Sequence, residues 1–229
     1  MKLLALETAT EACSVALYVD GAIRETFAVA PRQHAGLVLP WADALLAEAG
    51  ITRRQLDAIA LGRGPGAFTG VRLAASIAQG IALALDLPLL PVSTLAALAW
   101  QGDGPRRLAA IDARMGEVYL GAFAADSDGL VPLAPEVVLP PAQAQLPAGD
   151  GSWVALGTGF AAGQGVLVQR WAGRLRQVDA AALPHAADVA RLAAPALARG
   201  EGIAPERLEP AYLRNDVALT LAQQQARRG

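Results

Sequence analysis

Two short stretches of the chain bring carboxylates, hydroxyls and small residues together at spacings that catalysis and phosphate binding use. LETATEACS carries Glu7, Thr8, Thr10 and Ser14, and IDARMGEVY carries Asp112, Arg114, Gly116 and Glu117. Each follows an apolar run, so each reads as the turn leaving a strand. A carboxylate at the end of a strand can hold a metal-bound water, and the hydroxyls and amides of a turn can bind phosphate. On that reading Glu7, Thr8, Thr10, Asp112 and Arg114 are remnants of a nucleotide site. The plainer reading is that Thr and Ser satisfy the hydrogen bonds of their own turns.

A third stretch, LGRGPGAFTGVRLAASIAQGIALAL, spans residues 61–85 and holds four glycines between Gly62 and Gly70. A Walker-type phosphate loop requires Lys and then Ser or Thr after its last glycine, but Val71 and Arg72 stand there. A dinucleotide loop requires an acid after the next strand to hold ribose, but LPLLPVST ends in Ser93 and Thr94. What remains is a backbone loop that needs tight turns, stiffened by Pro65, with Thr69 as N-cap of the helix that follows.

Composition narrows the chemistry further. Of 229 residues, 54% are apolar and 17% charged, which fits a packed core and excludes a disordered chain. A net charge of −2 is a poor footprint for gripping nucleic acid unaided, so any RNA contact is expected to be indirect, with another chain bringing most of the positive charge. Cys13 is the only cysteine, which excludes an internal disulfide and fits the cytoplasm. His34 and His185 lie far apart and are expected to be ordinary polar residues, so no metal and no cofactor is expected. Glu7 interrupts the N-terminal apolar run, and the longer runs are broken by Asp86, Gly or Pro. Neither a signal peptide nor a membrane span is expected.

The elements that must position these residues follow one plan, used twice. KLLALETA, CSVALYVDG and AIRETFAVA read as three strands, the last two joined across Asp20-Gly21. GLVLPWADALLAEAG reads as a helix ended by Gly50. A strand LDAIALG, a helix from Gly70 to Leu85, a strand LPLLPVS and a helix from Thr94 complete the first half. RRLAAIDA, GEVYLGAFA and GLVPLAPEVVL then repeat the three strands. WVALGTG echoes AIALGRG, with Ala155 95 residues after Ala60. A helical stretch, a strand RLRQVDA and a helix HAADVARLAAPALARG close the series. The expected architecture is α/β, two duplicated lobes of mixed sheet flanked by helices, divided as 1–102 and 103–229. That describes the actin-like ATPase and sugar-kinase fold, with its cleft between the lobes. The tail from Leu208 can return to either lobe.

The helix after the glycine loop has more apolar surface than one sheet needs. Leu73, Ile77, Ile81 and Leu85 form one arc; Val71, Ala75, Ala78 and Ala82 form a second, small-sided arc, edged by Arg72 and Gln79. Together they span roughly 200°, against about 100° for a helix lying on one layer. The helix before it behaves alike, with Leu37, Val38, Leu39, Trp41, Leu45 and Leu46 facing several ways. The second arc is expected to meet another chain, the alternative being burial within the monomer.

LALETATEACSVAL, GRGPGAFTGVRLAASIAQGIA, LPVSTLAALA and IDARMGEVY together resemble the TsaB (YeaZ) family. The likeness is strong over most of residues 1–125, and PAYLR near the end also fits. The family supplies the dimerisation subunit of the bacterial machinery that makes N6-threonylcarbamoyladenosine at position 37 of tRNA. The resemblance implies an actin-like (ASKHA, RNase H-like) fold and a non-catalytic scaffold role. It implies partnership with the catalytic paralogue TsaD and the ATPase TsaE, and a homodimer in isolation. The family's contact uses the first two helices, which places Leu37, Val38, Trp41, Leu45, Val71, Arg72, Ala75, Ala78, Gln79 and Ala82 in an interface. The paralogue's His-x-x-x-His metal motif is replaced by Thr94 and Leu98, and Leu is no metal ligand. Two rival readings are a kinase-like or ATP-hydrolysing enzyme using Glu7, Thr8, Thr10, Asp112 and Mg²⁺, and a metallopeptidase, for which two distant histidines are too few.

Overall fold

A computed structural model describes residues 1–126 and 129–214 of the chain. The first half opens as an antiparallel meander, β1 (Lys2–Glu7), β2 (Ala12–Val19) and β3 (Ala22–Val29). Asp20 and Gly21, at φ 48° and 97°, form the expected two-residue turn with Val19 opposite Ala22. Then follow α1 (His34–Glu48), β4 (Ala58–Gly62), α2 (Phe68–Leu85), β5 (Leu89–Val92) and α3 (Thr94–Trp100). The second half holds β6 (Arg106–Arg114), β7 (Glu117–Asp126), β8 (Gly129–Pro132), β9 (Val137–Leu139), β10 (Trp153–Leu156), α4 (Ala162–Arg170), β11 (Leu175–Asp179) and α5 (Ala186–Ala198).

The sheets share one topology. The first runs β3-β2-β1-β4-β5 and the second β8-β7-β6-β10-β11, each with an antiparallel meander joined to parallel strands. Leu6 pairs with Leu61, and Ala109 pairs with Leu156, so Gly62 and Gly157 are equivalent positions. The stretch GLVPLAPEVVL departs from expectation: it is two strands, β8 and β9, on different parts of β7. Pro132 and Pro135 have no N–H to continue the ladder between them.

Strand alternation sorts the core into layers. Leu4 and Leu6 face α1 and α2, whereas Leu3 and Ala5 on the opposite face meet α5. Likewise Leu108 and Ala110 face α4, and Ala109 and Ile111 face α3. Thus α3 precedes the second sheet and packs on it, whereas α5 follows that sheet and packs on the first. The two helices touch through Ala97 and the alanine side of α5. A cut at residue 102 therefore leaves each half with a helix that lies on the other's sheet. A polar clasp fixes this exchange. Ala186 N–H donates to Ser14 Oγ (2.9 Å), Ala187 N–H to Glu25 Oε1 (3.0 Å) and His185 Nδ1 to Glu25 Oε2 (2.9 Å). A carboxylate at a helix N-terminus also meets the positive end of the helix dipole.

The two arcs of α2 fall the other way round from expectation. Of the residues expected against a second chain, Ala75, Ala78 and Ala82 are buried under the chain's own first sheet, and Val71 is buried beside Gly64 of the glycine loop. The physical reason is reach: small side chains let the helix lie close on β4 and β1, so the alanine side goes inward. Leu73, Ile77 and Ile81 are only half-buried. By length and composition α2 is apolar enough to cross a membrane, but its five buried side chains pack in the core as those of a globular domain do. The helix also starts earlier than Gly70, with Ala67 at the N-cap position, and Thr69 does not cap it.

Ala78 is fully buried in this core. Ala78→Arg is therefore expected to destabilise the monomer by several kcal/mol, because it buries an uncompensated charge. Urea unfolding checks this; a wild-type midpoint would place Ala78 outside the core.

Candidate functional site

The glycines of residues 62–70 serve close approach to the first turn. A Cβ at Gly62 would come within 1.9 Å of Glu7 Oε2, one at Gly66 within 2.4 Å of Ala9 O, and one at Gly70 within 2.0 Å of Thr8 O. No other residue fits there. The contact is then hydrogen-bonded on both sides: Ala67 N–H donates to Ala9 O (2.7 Å) and Thr8 Oγ1 to Gly70 O (2.7 Å). The echoed glycines of the second half repeat the device, since a Cβ at Gly157 would meet Ala110 O at 2.2 Å.

Glu7 sits under this contact, fully buried. Its carboxylate accepts Ala9 N–H (2.8 Å) and Thr94 Oγ1–H (3.0 Å), while Thr94 Oγ1 accepts Gly64 N–H (3.2 Å). Burial outweighs these donors and pushes the Glu7 pKa up to about 7. Sealed there, Glu7 cannot hold a metal-bound water in the cleft. Thr94 gives its oxygen to the same knot, and Leu98 lies in the core between α3 and the second sheet.

Above Glu7 lies a cleft of about 1060 Å³ between the two first-strand turns, roofed by the start of α2 and by residues 211–214. Thr8, Thr10, Asp112 and Arg114 all line it, so the structure brings together four of the five residues assigned to a nucleotide site. Each takes part in a bond within the chain, Thr8 Oγ1 to Gly70 O. Thr10 Oγ1 accepts Ala12 N–H (3.3 Å), and Asp112 accepts Arg114 N–H (2.8 Å) and Arg114 Nη1 (3.0 Å). His34 Nε2, at 3.1 Å from both Thr10 O and Ala12 O, braces the first turn. Arg32, Arg72, Arg114 and Arg214 line the walls against Glu11 and Asp112, so the cleft is more basic than the chain as a whole. Ser14, Glu25 and His185 do not make a nucleophile. Ser14 is fully buried, and its hydroxyl bonds the carboxylate (2.6 Å) rather than the imidazole.

The residues assigned to an interface divide into two groups. Val38, Leu45, Val71, Ala75, Ala78 and Ala82 are buried within the chain, and Leu37, Trp41 and Gln79 are half-buried. Arg72 is exposed, and both it and Gln79 bond the C-terminal segment. The outer side of α2 instead shows Leu73, Ile77, Gly80, Ala84 and Leu83, the last 58% exposed; on α1, Leu39 is 43% exposed. Gly80 was the legible signal for this side. A glycine in mid-helix costs up to about 1 kcal/mol relative to Ala, and a Cβ there would meet nothing within 4 Å.

Glu7 carries a pH prediction. Its pKa is raised on folding, so the native state keeps a proton that the unfolded chain releases between about 4.5 and about 7. The stability from that proton is fully present below this window and is lost as pH rises through it. Glu7→Gln cannot titrate. The difference in unfolding free energy, variant minus wild type, should shift in the variant's favour by a few kcal/mol between pH 5 and pH 8. The His185 titration, raised by its bond to Glu25, is common to both proteins and cancels. A pH-independent difference in urea melts would contradict the assignment.

Comparison with known proteins agrees with this geometry. A family model described as TsaD, tRNA N6-adenosine threonylcarbamoyltransferase, matches residues 27–220. The chain is 42% identical to the tRNA threonylcarbamoyladenosine biosynthesis protein TsaB of Escherichia coli, over 95% of this chain and 96% of that one. It is 38% identical to the TsaB of Haemophilus influenzae, over 95% of each. The solved structure of YeaZ from Pseudomonas aeruginosa superposes with a TM-score of 0.84 at 44% identity, covering 93% of this chain and 99% of that one. With the duplicated sheet order, the glycine contact and these likenesses in hand, the chain belongs to the TsaB (YeaZ) family and has its actin-like fold.

Proposed function

We propose that this protein is a non-catalytic scaffold for tRNA threonylcarbamoyladenosine synthesis in the bacterial cytoplasm. It docks through the outer side of α2 and the adjoining part of α1 onto the catalytic paralogue TsaD, in a machinery that includes TsaE, and onto a second copy of itself when TsaD is missing. The names of its relatives support the pathway. Gly80 supports the docking most directly. Its own chain has no use for a glycine at this exposed point, and an incoming helix that packs closely does. Around it Leu73, Ile77, Ala84 and Leu83 make an apolar surface of the kind that partners cover.

The competing reading, an ATP-hydrolysing enzyme using the cleft, is less well supported. The cleft has basic walls, but its candidate bases are occupied: Glu7 is sealed under the glycine loop and Asp112 is bonded by Arg114. General-base catalysis needs a basic group within hydrogen-bond reach of the attacking group.

The docking reading makes an unusual joint prediction for Gly80→Leu. Helix propensity should raise the stability of the monomer by up to about 1 kcal/mol, seen as a higher melting temperature. The same side chain should abolish self-association and co-purification with TsaD, measured by light scattering and pull-down. A variant that associates like the wild type would sink the docking face.

A further inference from the structure

We infer that residues 211–214 are a releasable strap that couples the inter-lobe cleft to the α2 docking face. The inference deepens the proposed function and rests on it only for the role of that face.

After α5 the chain returns across the first lobe on a firmly built base. Ile203 exchanges two backbone hydrogen bonds with Leu89, each 2.9 Å, and Gln79 Nε2 donates to Pro205 O (2.9 Å). Leu208 is buried in the core beside α1 and α2. The next residues are held differently. Ala211 N–H donates to Arg63 O in the glycine loop (2.8 Å). Arg72 Nε donates to Tyr212 Oη (2.8 Å), and the Arg72 guanidinium stacks 3.5 Å over the Phe68 ring and 5.4 Å from the Tyr212 ring. Then Arg214 reaches the second lobe, where Nη2 donates to Ala113 O (3.2 Å) and to Glu117 Oε2 (2.5 Å).

Four residues thus grip the glycine loop, the first turn of α2 and the β6–β7 turn. That last turn holds Arg114 and Met115 at φ 61° and 56°, a conformation L-residues hold only when neighbours enforce it. Arg214 is one such neighbour, touching the residues on either side. The base is secured by burial, but Phe68 and Tyr212 are 52% and 47% exposed, and contacts between exposed groups are weak. The strap can therefore leave while its base stays.

The coupling follows from connectivity. Widening the cleft moves the β6–β7 turn away from α2, which must either break the Arg214 contacts or drag Ala211 and Tyr212 off the α2 terminus. Conversely, a partner that displaces the first turn of α2 strains the strap and its hold on the second lobe. Occupancy of the cleft and occupancy of the α2 face then alter each other reciprocally.

Amide hydrogen exchange on the full chain tests this without any partner. Arg214 touches the second lobe alone, yet Arg214→Ala is expected to speed exchange about tenfold at the amides of Val71, Arg72 and Ala211, by freeing the strap, with β1 and β4 unchanged. Arg214→Lys, which keeps the charge opposite Glu117, should restore part of the protection. Faster exchange confined to residues 113–117, or uniformly faster exchange through both sheets, would overturn the inference. The Gly80→Leu association experiment probes the docking face separately, so loss of one reading is distinguishable from loss of the other.

Discussion

The structure depends on one close contact, backbone against backbone, between the glycine loop and the turn that follows β1. Glycines at 62, 66 and 70 bring the two chains to distances at which a Cβ would overlap a carboxylate or a carbonyl. Because buried polar groups must be paired, the same approach dictates the bonds around it: Ala67 to Ala9, Thr8 to Gly70, and Glu7 to Thr94. Those bonds set where α2 begins, where α3 begins and how deep Glu7 lies. The cleft floor, the start of α2 and the anchor for Ala211 all adjoin this contact.

The second organising feature is the exchange of helices between the sheets. Two sheets stacked end to end by a linker would move freely, since interfaces between domains of one chain are commonly loose. Here α3 lies on the second sheet, α5 on the first, and each packs on the other. The clasp of Ser14, Glu25 and His185 at the start of α5 makes the return specific rather than merely apolar. Alanine-rich helices suit this place, because they fit between two layers without forcing them apart.

Function is distributed accordingly. The cleft is lined by basic side chains, and its hydroxyls and Asp112 bond within the chain: Thr8 to Gly70, Thr10 and Asp112 within their own turns. Leu83 and Ala84, exposed on α2, lie outside the lining of the cleft.

Much of this was legible in the sequence. Period-two runs and the Asp20-Gly21 turn gave the first meander, and the ALG-x-G echo gave the duplication. The glycine loop lacks the Lys of one phosphate-binding pattern and the acid of the other, and its need for tight backbone was readable. Alternation, turn residues and capping act over a few positions, so a one-dimensional string records them. Three things were decided only by tertiary structure. Which arc of α2 faces inward was settled by how close a helix can lie on a sheet, and both arcs are apolar. Glu7 reads as a cleft carboxylate until Gly62 and Thr94, 55 and 87 residues away, close over it. The return of α5 and of residues 203–212 to the first lobe follows from complementary surfaces that meet only after folding, and no local pattern encodes a partner that is distant along the chain.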